Sequence, residues 1–380
     1  MRKKIQYTWS LLTLLSAFAV SACNEQDVPA SGSSGGATDV GSETPDGTTG
    51  GNPSPTPRPS ATPRPGATPS PTPRPTATPQ PTAAPTPPPT TGCQLGPNAS
   101  LGGRRPFPDD NPWNQDISQE PVDSNSANYI ASMGLDKTLH PDFGTTYNGA
   151  PNGTQYVVVP GNQPRVPITF QYKSESDAGP YPIPPNAPIQ GGPNATGDRH
   201  VIVVDCDNWT LWETFSTYPN GSGWTAASGA KFNLATNDLR PDGWTSADAA
   251  GLPIFPGLVR YDEVVERGEI RHALRFTAVR TQNAYVYPAR HAASNLTDSN
   301  LPPMGMRVRL KASFDISGFT PNVQVILRAL KKYGMFMADN GADWFISGAP
   351  NPKWNDQELR QLKTIAGRNF EVVRMGTIVR

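Results

Sequence analysis

The chain has 380 residues, of which 44 are prolines and 35 are glycines, and its 32 basic residues balance 32 acidic ones. A formal charge of zero excludes the basic excess on which most nucleic-acid-binding domains depend, so we expect no nucleic-acid partner. Once the proline-rich part is set aside, the length suffices for one large β domain or two small ones.

Residues 1–22 are typical of an export signal. A basic start, MRKK, precedes a mostly apolar segment that is too short to span a membrane, and the segment ends in VSAC. Small residues followed by a cysteine resemble the lipobox of bacterial lipoproteins. This resemblance implies that Cys23 is lipidated, that the membrane is a partner, and, because residue 24 is Asn rather than Asp, that the anchor lies in the outer membrane. The alternative is an ordinary secretory signal cut near Ala22.

Residues 23–92 are predicted to form a disordered tether. A Gly/Ser-rich part is followed by a Pro/Thr-rich part from Pro53 to Pro89 that contains TPRP three times. Such a composition supplies too few apolar side chains to offset the entropy of ordering. We therefore expect an extended spacer, in which proline favours polyproline II.

Residues 93–380 are predicted to form a single mainly β domain, a sandwich or jelly roll with a few peripheral helices. Short runs such as TQYVVVP, RHVIVVD and ALRFTAV are rich in β-branched and aromatic residues and are bounded by turn formers. HVIVVDCDNWTLWETF indicates a hairpin that turns between Asp205 and Asn208. Helices are predicted for SNSANYIASMG, PNVQVILRALKKYGM and NDQELRQLKTIAG, the last with a cap at Asn355.

Two cysteines remain after lipidation, Cys93 and Cys206. In an oxidising compartment such a pair predicts one disulfide, which would fasten the start of the domain to the hairpin turn. The alternative is a pair of buried free thiols.

The chain has four histidines, and three of them directly follow an arginine: Arg199-His200, Arg271-His272 and Arg290-His291. His200 precedes a predicted strand and His291 follows one, at positions where β domains carry functional loops. We therefore expect these two pairs to line one cleft, with His272 buried as support. The alternative is that each pair satisfies hydrogen bonds at a strand edge.

Strand alternation assigns several basic side chains to polar sheet faces. In IRHALRFT the polar face carries Arg271 and Arg275, and in MRVRLKAS it carries Arg307, Arg309 and Lys311. If both strands belong to one sheet, these side chains form a basic surface that could bind an acidic ligand. The alternative is an ordinary solvated face.

Residues 337–356, MADNGADWFISGAPNPKWND, form a second candidate rim. Asp339, Asn340 and Trp344 combine acid, amide and aromatic groups, which suits the binding of sugar rings. The alternative is a set of tight turns with tryptophans in the core.

The residue types at these positions favour glycan chemistry. A polysaccharide lyase needs a cation for the uronate carboxylate, a base and an acid, for which Arg, His and Tyr are suitable. The catalytic candidates are His200, His291 and Tyr287, with the arginines and the 337–356 rim as substrate-binding residues. A glycosidase instead needs two facing carboxylates. Five carboxylates are available for that role: Asp205, Glu213, Asp262, Glu263 and Asp339.

Other chemistries find less support in the sequence. The histidine spacing matches no short zinc-ligand pattern and G-x-S-x-G is missing, so we expect neither a metal nor another cofactor. The predicted function is that of an anchored extracytoplasmic lipoprotein whose β domain binds, and as an enzyme cleaves, a polysaccharide. The alternative is a non-catalytic glycan-binding or structural module of the cell envelope.

Residues 105–373 resemble secreted bacterial domains of unassigned activity, through GDRH, PARH and ILRALKKYG. The resemblance implies one coherent extracellular domain and transfers no catalytic residue.

Overall fold

A computed structural model describes residues 92–380. The predicted signal peptide, the lipidation site Cys23 and the tether as far as residue 91 lie outside the described residues. Within residues 92–380, no helix is both long and apolar enough to cross a bilayer.

The regular secondary structure of the described chain consists mainly of short strands. In chain order they are β1 (Gly96–Pro97), β2 (His140–Asp142), β3 (Thr146–Tyr147), β4 (Ala150–Pro151), β5 (Val157–Val159), β6 (Ile168–Phe170), β7 (Val201–Asp205), β8 (Thr210–Phe215), β9 (Tyr218–Asn220), β10 (Gly223–Ala226), β11 (Ser228–Asn233), β12 (Leu274–Ala278), β13 (Tyr285–Val286), β14 (Arg307–Leu310), β15 (Met335–Asn340), β16 (Phe345–Ser347), β17 (Phe370–Val372) and β18 (Ile378–Val379).

The helices are fewer and lie between strands. The α-helices are α1 (Ser126–Met133), α2 (Pro321–Lys332) and α3 (Asp356–Leu359). One π-helical turn covers Asp262–Glu266. Short 3-10 turns cover Pro112–Asn114, Lys173–Glu175, Phe255–Gly257, Arg360–Thr364 and Gly367–Asn369.

Two larger sheets organise the domain. The first has the order β1-β5-β7-β8-β11 and the second has the order β17-β14-β15-β12-β16-β2. Smaller sheets are β6-β10-β9, β13-β18 and β3-β4. The mainly β class with a few helices is confirmed, and so is the β7–β8 hairpin. The sheets are mixed, because β5/β7, β12/β15, β16/β2 and β6/β10 pair in parallel.

One apolar core joins the two larger sheets. It contains Ile202 and Leu211 from the first sheet together with Phe276 and Met337 from the second. A second, smaller core lies on the other face of the first sheet, where Trp212 belongs to the same cluster as Tyr181 and Ile183. Burial on both faces explains why β7 reads as a continuous apolar run, VIVVD, instead of alternating.

The predicted helices are present. α2 buries Val323, Ile326, Leu327 and Leu330, as its 3.6-residue periodicity indicates. It ends before Gly334, whose φ of +63° and close approach to the Val308 carbonyl exclude a side chain. The third helix is only four residues long, with the Asn355 side chain accepting from the Glu358 N–H as its cap.

The predicted disulfide is confirmed. Cys93 and Cys206 are bonded across 113 residues of chain, with their Cα atoms 6.2 Å apart. The bond fastens the entry to the domain to the turn between β7 and β8.

The predicted basic surface is wrong. β12 and β14 do belong to one sheet, but the side chains of Arg275, Arg307 and Arg309 are buried. The segment that begins at Pro112 covers the sheet there, and its carbonyl oxygens accept from the guanidinium groups of Arg307 and Arg309. On a covered sheet face, each cationic side chain needs a hydrogen-bond partner within the protein. The alternation of β14 predicts that this face is polar, but it does not distinguish a solvated face from a covered one.

Candidate functional site

A polar row crosses the second sheet near the end of β16. Asp142 of β2 pairs with Ser347 of β16, and Ser347 accepts a hydrogen bond from the guanidinium of Arg275 on β12. Residues paired across a sheet share a face, so all three side chains belong to the same face of the sheet.

A β-bulge adds Asp339 to this face. Phe276 of β12 pairs with Met337 of β15, but the next residue, Thr277, pairs with Asp339, so Ala338 is passed over. The extra residue reverses the alternation, and Asp339 comes to share the face of Thr277 and Arg275. Without the bulge, Asp339 would follow Met337 toward the apolar core.

A buried ion pair forms the floor of the site. Nε and Nη2 of Arg275 donate to Oδ2 and Oδ1 of Asp248 at 3.0 and 2.6 Å, in a bidentate arrangement. The exposed fractions of these residues are 7 % and 1 %. The bidentate contact gives the buried Asp248 carboxyl group a guanidinium partner of opposite charge.

Asp339 is hydrogen-bonded through its side chain to Asp248. A neighbouring carboxyl group disfavours the charged form of Asp339, whereas the carboxyl group of Asp248 has the guanidinium of Arg275 as its partner. Desolvation first, and the charge of Asp248 second, raise the pKa of Asp339 well above its ordinary value. The residue is half-buried, so part of Asp339 remains accessible to solvent.

His200 lies directly before β7 and is buried. Its Nδ1 is 3.2 Å from the Thr214 carbonyl oxygen, which can only accept, so Nδ1 carries the hydrogen. Burial lowers the pKa of His200, against the influence of Asp198 and Asp248. The neutral imidazole therefore has its lone pair on Nε2.

Asp198 connects the parts of the site. Its charge contributes to the raised pKa of Asp142 and of Asp339, and it partly opposes the lowering of the His200 pKa by burial. Asp198 and Asp142 are both exposed, yet desolvation is the largest cause of the raised pKa of Asp142.

Glu213 holds the backbone segment that carries Asp248. Its fully buried carboxyl group accepts from the backbone N–H groups of Ile254 and Phe255. These residues end the segment that begins at Asp248, so Glu213 anchors the segment that supplies the buried carboxylate.

The two predicted catalytic histidines, His200 and His291, both interact with the segment that begins at Asp248. Asp248 acts electrostatically on His200, and Nδ1 of His291 is 2.8 Å from the Ala249 carbonyl oxygen. His272 is buried, with Nε2 3.0 Å from a Glu263 carboxylate oxygen.

The predicted arginines have protein partners, even where they lie near the cleft. Arg199 donates to the carbonyls of Pro193, Ala195 and Thr217. Arg290 pairs with Asp242, and Arg271 donates to the Gly103 carbonyl at 2.7 Å.

Three further residues that were predicted to bind substrate or to act in catalysis lie in different surroundings. Asn340 follows Asp339 and donates through its side chain to the Ala293 carbonyl. Trp344 has no exposed surface and packs between Phe276 and Phe370, so its ring cannot stack on a ligand. Tyr287 is 57 % exposed and lines a separate cavity of about 600 Å³.

Sequence reasoning missed Asp142, Asp198 and Asp248. Asp198 belongs to GDRH, the stretch already singled out for its arginine and histidine, so a signal was present there. Asp142 and Asp248 follow no motif, and only the sheet register and the Arg275 contact reveal them.

Residues 92–380 contain no group of three or more His, Cys, Asp or Glu side chains that could hold a metal ion. Comparison of the chain with protein-family models, curated proteins and solved structures found no match. The chemistry of the site therefore has to be argued from its own geometry.

Proposed function

We propose that this protein is a polysaccharide hydrolase, held outside the cytoplasm by a lipid on Cys23. The observation that carries the proposal is the carboxyl group of Asp339, whose pKa is raised by burial and by its contact with Asp248, with the exposed Asp198 near enough to act on it. Hydrolysis of a glycosidic bond requires this combination of an acid and a second carboxylate.

Each group has a role in the proposed reaction. Asp339 donates its proton to the leaving glycosidic oxygen, and the neighbouring Asp248, which raises the pKa of Asp339, favours the protonated form of this acid. Asp198, whose charge acts on Asp339 and His200, is the second carboxylate. It accepts a proton from the water molecule whose oxygen bonds to the anomeric carbon as the glycosidic C–O bond breaks. His200 contributes an acceptor through Nε2 and fixes its ring through the Thr214 carbonyl.

Hydrolysis fits the site better than lyase chemistry. A uronate lyase needs a free cation to neutralise the sugar carboxylate. The guanidinium of Arg275 is already bound to Asp248 and Ser347, and Arg199, Arg271 and Arg290 each have protein acceptors. The groups of the cleft that remain open to a ligand are mainly carboxyl groups.

Asp339→Asn tests the proposal. We expect the release of new reducing ends from neutral polysaccharides to fall by about 10²–10⁴-fold, the usual contribution of a general acid. Binding of the same oligosaccharides should persist, because the amide keeps the shape of the side chain. In the unsubstituted protein, cleavage should decline as the pH rises through the raised pKa of Asp339, since the acid then loses its proton.

Asp298→Asn is the matched control, because this exposed carboxylate caps a local turn by accepting from the Asn300 N–H. Cleavage that survives Asp339→Asn would overturn the assignment of the acid. Binding without cleavage by the unsubstituted protein would favour a non-catalytic glycan-binding module, and growth of unsaturated-uronate absorbance would favour a lyase.

A further inference from the structure

The cavity of about 600 Å³ that Tyr287 lines is formed by distant segments of the chain. Its buried lining residues Arg307 and Phe336 pair with each other between β14 and β15. The other lining residues come from three segments: residues 109–120, the chain from β13 to Gly305, and residues 373–376, which connect β17 to β18. The volume falls within the range of about 300–1,000 Å³ that is usual for small-ligand pockets.

Two buried residues of the lining have hydrogen-bonding atoms without partners. Asn114, which is 5 % exposed, donates through Nδ2 to backbone carbonyls of residues 106–108, but its Oδ1 has no hydrogen-bond partner within residues 92–380. Arg307, which is 8 % exposed, donates four hydrogen bonds to backbone carbonyls, so one of its five N–H groups, on Nη1, has no acceptor in the described chain. Buried polar groups are usually paired, so this acceptor and this donor indicate a ligand with both an N–H and a carbonyl group, as in a peptide bond.

Exposed groups of both charges line the same cavity. Glu120 and Arg374 are exposed, and neither side chain makes a hydrogen bond or an ion pair within the described residues. The other two acids of the lining are engaged locally, because Asp109 pairs with Arg105 and Asp116 accepts from a backbone N–H of its own turn. A carboxylate and a guanidinium without partners match the ammonium and the carboxylate of a zwitterionic ligand.

Most of the remaining lining side chains are apolar. They include Ile117, Val286, Pro288, Val373 and Met375, together with the ring of Tyr287. Aliphatic walls suit an apolar side chain, whereas a sugar presents hydroxyl groups around its whole outline. The combination of aliphatic walls, unpartnered amide-binding groups and both charges favours a peptide over a saccharide.

We propose that this cavity binds a short peptide with free termini. The peptide ammonium pairs with Glu120 and the peptide carboxylate pairs with Arg374. A peptide N–H donates to Oδ1 of Asn114, and a peptide carbonyl accepts from the remaining N–H of Arg307. The cavity shares no lining residue with the site around Asp339, so this binding does not depend on the proposed hydrolysis.

Calorimetry of the full-length protein with the tripeptide alanyl-leucyl-alanine tests the site. We expect one tripeptide to bind per chain, and amidation of its carboxylate to weaken binding by roughly tenfold, the effect of losing a hydrogen bond between charged groups. Arg374→Gln should weaken binding of the free tripeptide by the same factor and leave binding of the amidated tripeptide unchanged. Arg328→Gln, at an exposed arginine of α2 outside the cavity, is the matched control.

Failure of the unsubstituted protein to bind the tripeptide would overturn the site. Equal affinities for the free and the amidated tripeptide, or equal losses in Arg374→Gln and Arg328→Gln, would overturn the recognition of the carboxylate. Tyr287→Ala should also weaken tripeptide binding, because it removes a 57 % exposed ring from the lining. If this variant instead loses binding of neutral hexaoses, and the tripeptide does not bind, the cavity takes a saccharide and the proposal is wrong.

Discussion

The carboxyl group of Glu213 is surrounded by protein on all sides, and burial raises its pKa to about 8 despite hydrogen bonds from the Ile254 and Phe255 amides. The unfolded chain loses this proton near its ordinary value of 4.5, whereas the folded chain keeps it until about 8. The folded state therefore binds more protons between these values. The stabilisation that Glu213 gives the folded state is therefore fully present below pH 4.5 and is lost as the pH rises through 8.

Glu213→Gln should remove this pH dependence. We expect the free energy of unfolding of the unsubstituted protein to decline between pH 5 and pH 8.5 by on the order of 4 kcal/mol more than that of the variant. Urea unfolding at several pH values measures the difference. Glu120→Gln, at an exposed carboxylate, should show the same slope as the unsubstituted protein, and equal slopes for all three proteins would contradict the prediction.

At the scale of elements, the bulge in β15 decides which face carries the acid. Regular alternation from Met335 and Met337 predicts that Asp339 points toward the apolar core, and the extra residue Ala338 turns it to the polar face. A single backbone irregularity thus keeps the carboxyl group of Asp339 out of the apolar core, where its burial would be unfavourable, and places it on the polar face of the sheet.

The disulfide is the element-scale contact with a measurable contribution to stability. It closes a segment of 113 residues between the start of the domain and the β7–β8 turn. Closing so long a loop restricts the unfolded chain, so we expect Cys93→Ser with Cys206→Ser to lower the free energy of unfolding by about 3–4 kcal/mol.

Urea unfolding of the soluble domain checks this value, with the reduced unsubstituted protein as the second comparison. Reduction and double substitution should give matching losses. A loss below about 0.5 kcal/mol would show that the first strand is held by its other contacts with β5.

At the scale of the whole molecule, the proposed cleft needs both larger sheets. Asp142, Arg275 and Asp339 belong to the second sheet, while His200 and Glu213 belong to the first sheet or its edge. The shared apolar core holds the two sheets together and so sets the distance between the acid and its partners. The site is a property of the assembled domain rather than of one motif.

The proposed anchor also belongs to this scale. Metabolic labelling with a fatty acid should mark the unsubstituted protein and leave Cys23→Ala unlabelled, because the lipobox cysteine is the acceptor in the resemblance to bacterial lipoproteins. A single acyl chain binds membranes only marginally, so stable retention in the membrane fraction requires several chains on this residue. Equal labelling of both proteins would contradict the anchor.

Local patterns were enough to predict the elements. Strand-forming runs bounded by turn residues, the β7–β8 hairpin, the apolar face of α2 and the Cys93–Cys206 bond depend on neighbouring residues or on simple elimination, and the structure contains them all. Their physical basis is short-range: side-chain periodicity, turn chemistry and a shortage of alternative thiols.

The composition of the cleft was decided by tertiary structure. Alternation identified Arg275 as polar but could not reveal the Asp248 carboxylate that occupies its guanidinium, 27 residues away in sequence. Arg199 and His200 are neighbours in the chain, yet the guanidinium binds the Thr217 carbonyl while the imidazole interacts with Asp248. Desolvation, sheet register and a bulge act between distant segments, so they determine which groups carry charge only once the chain has folded.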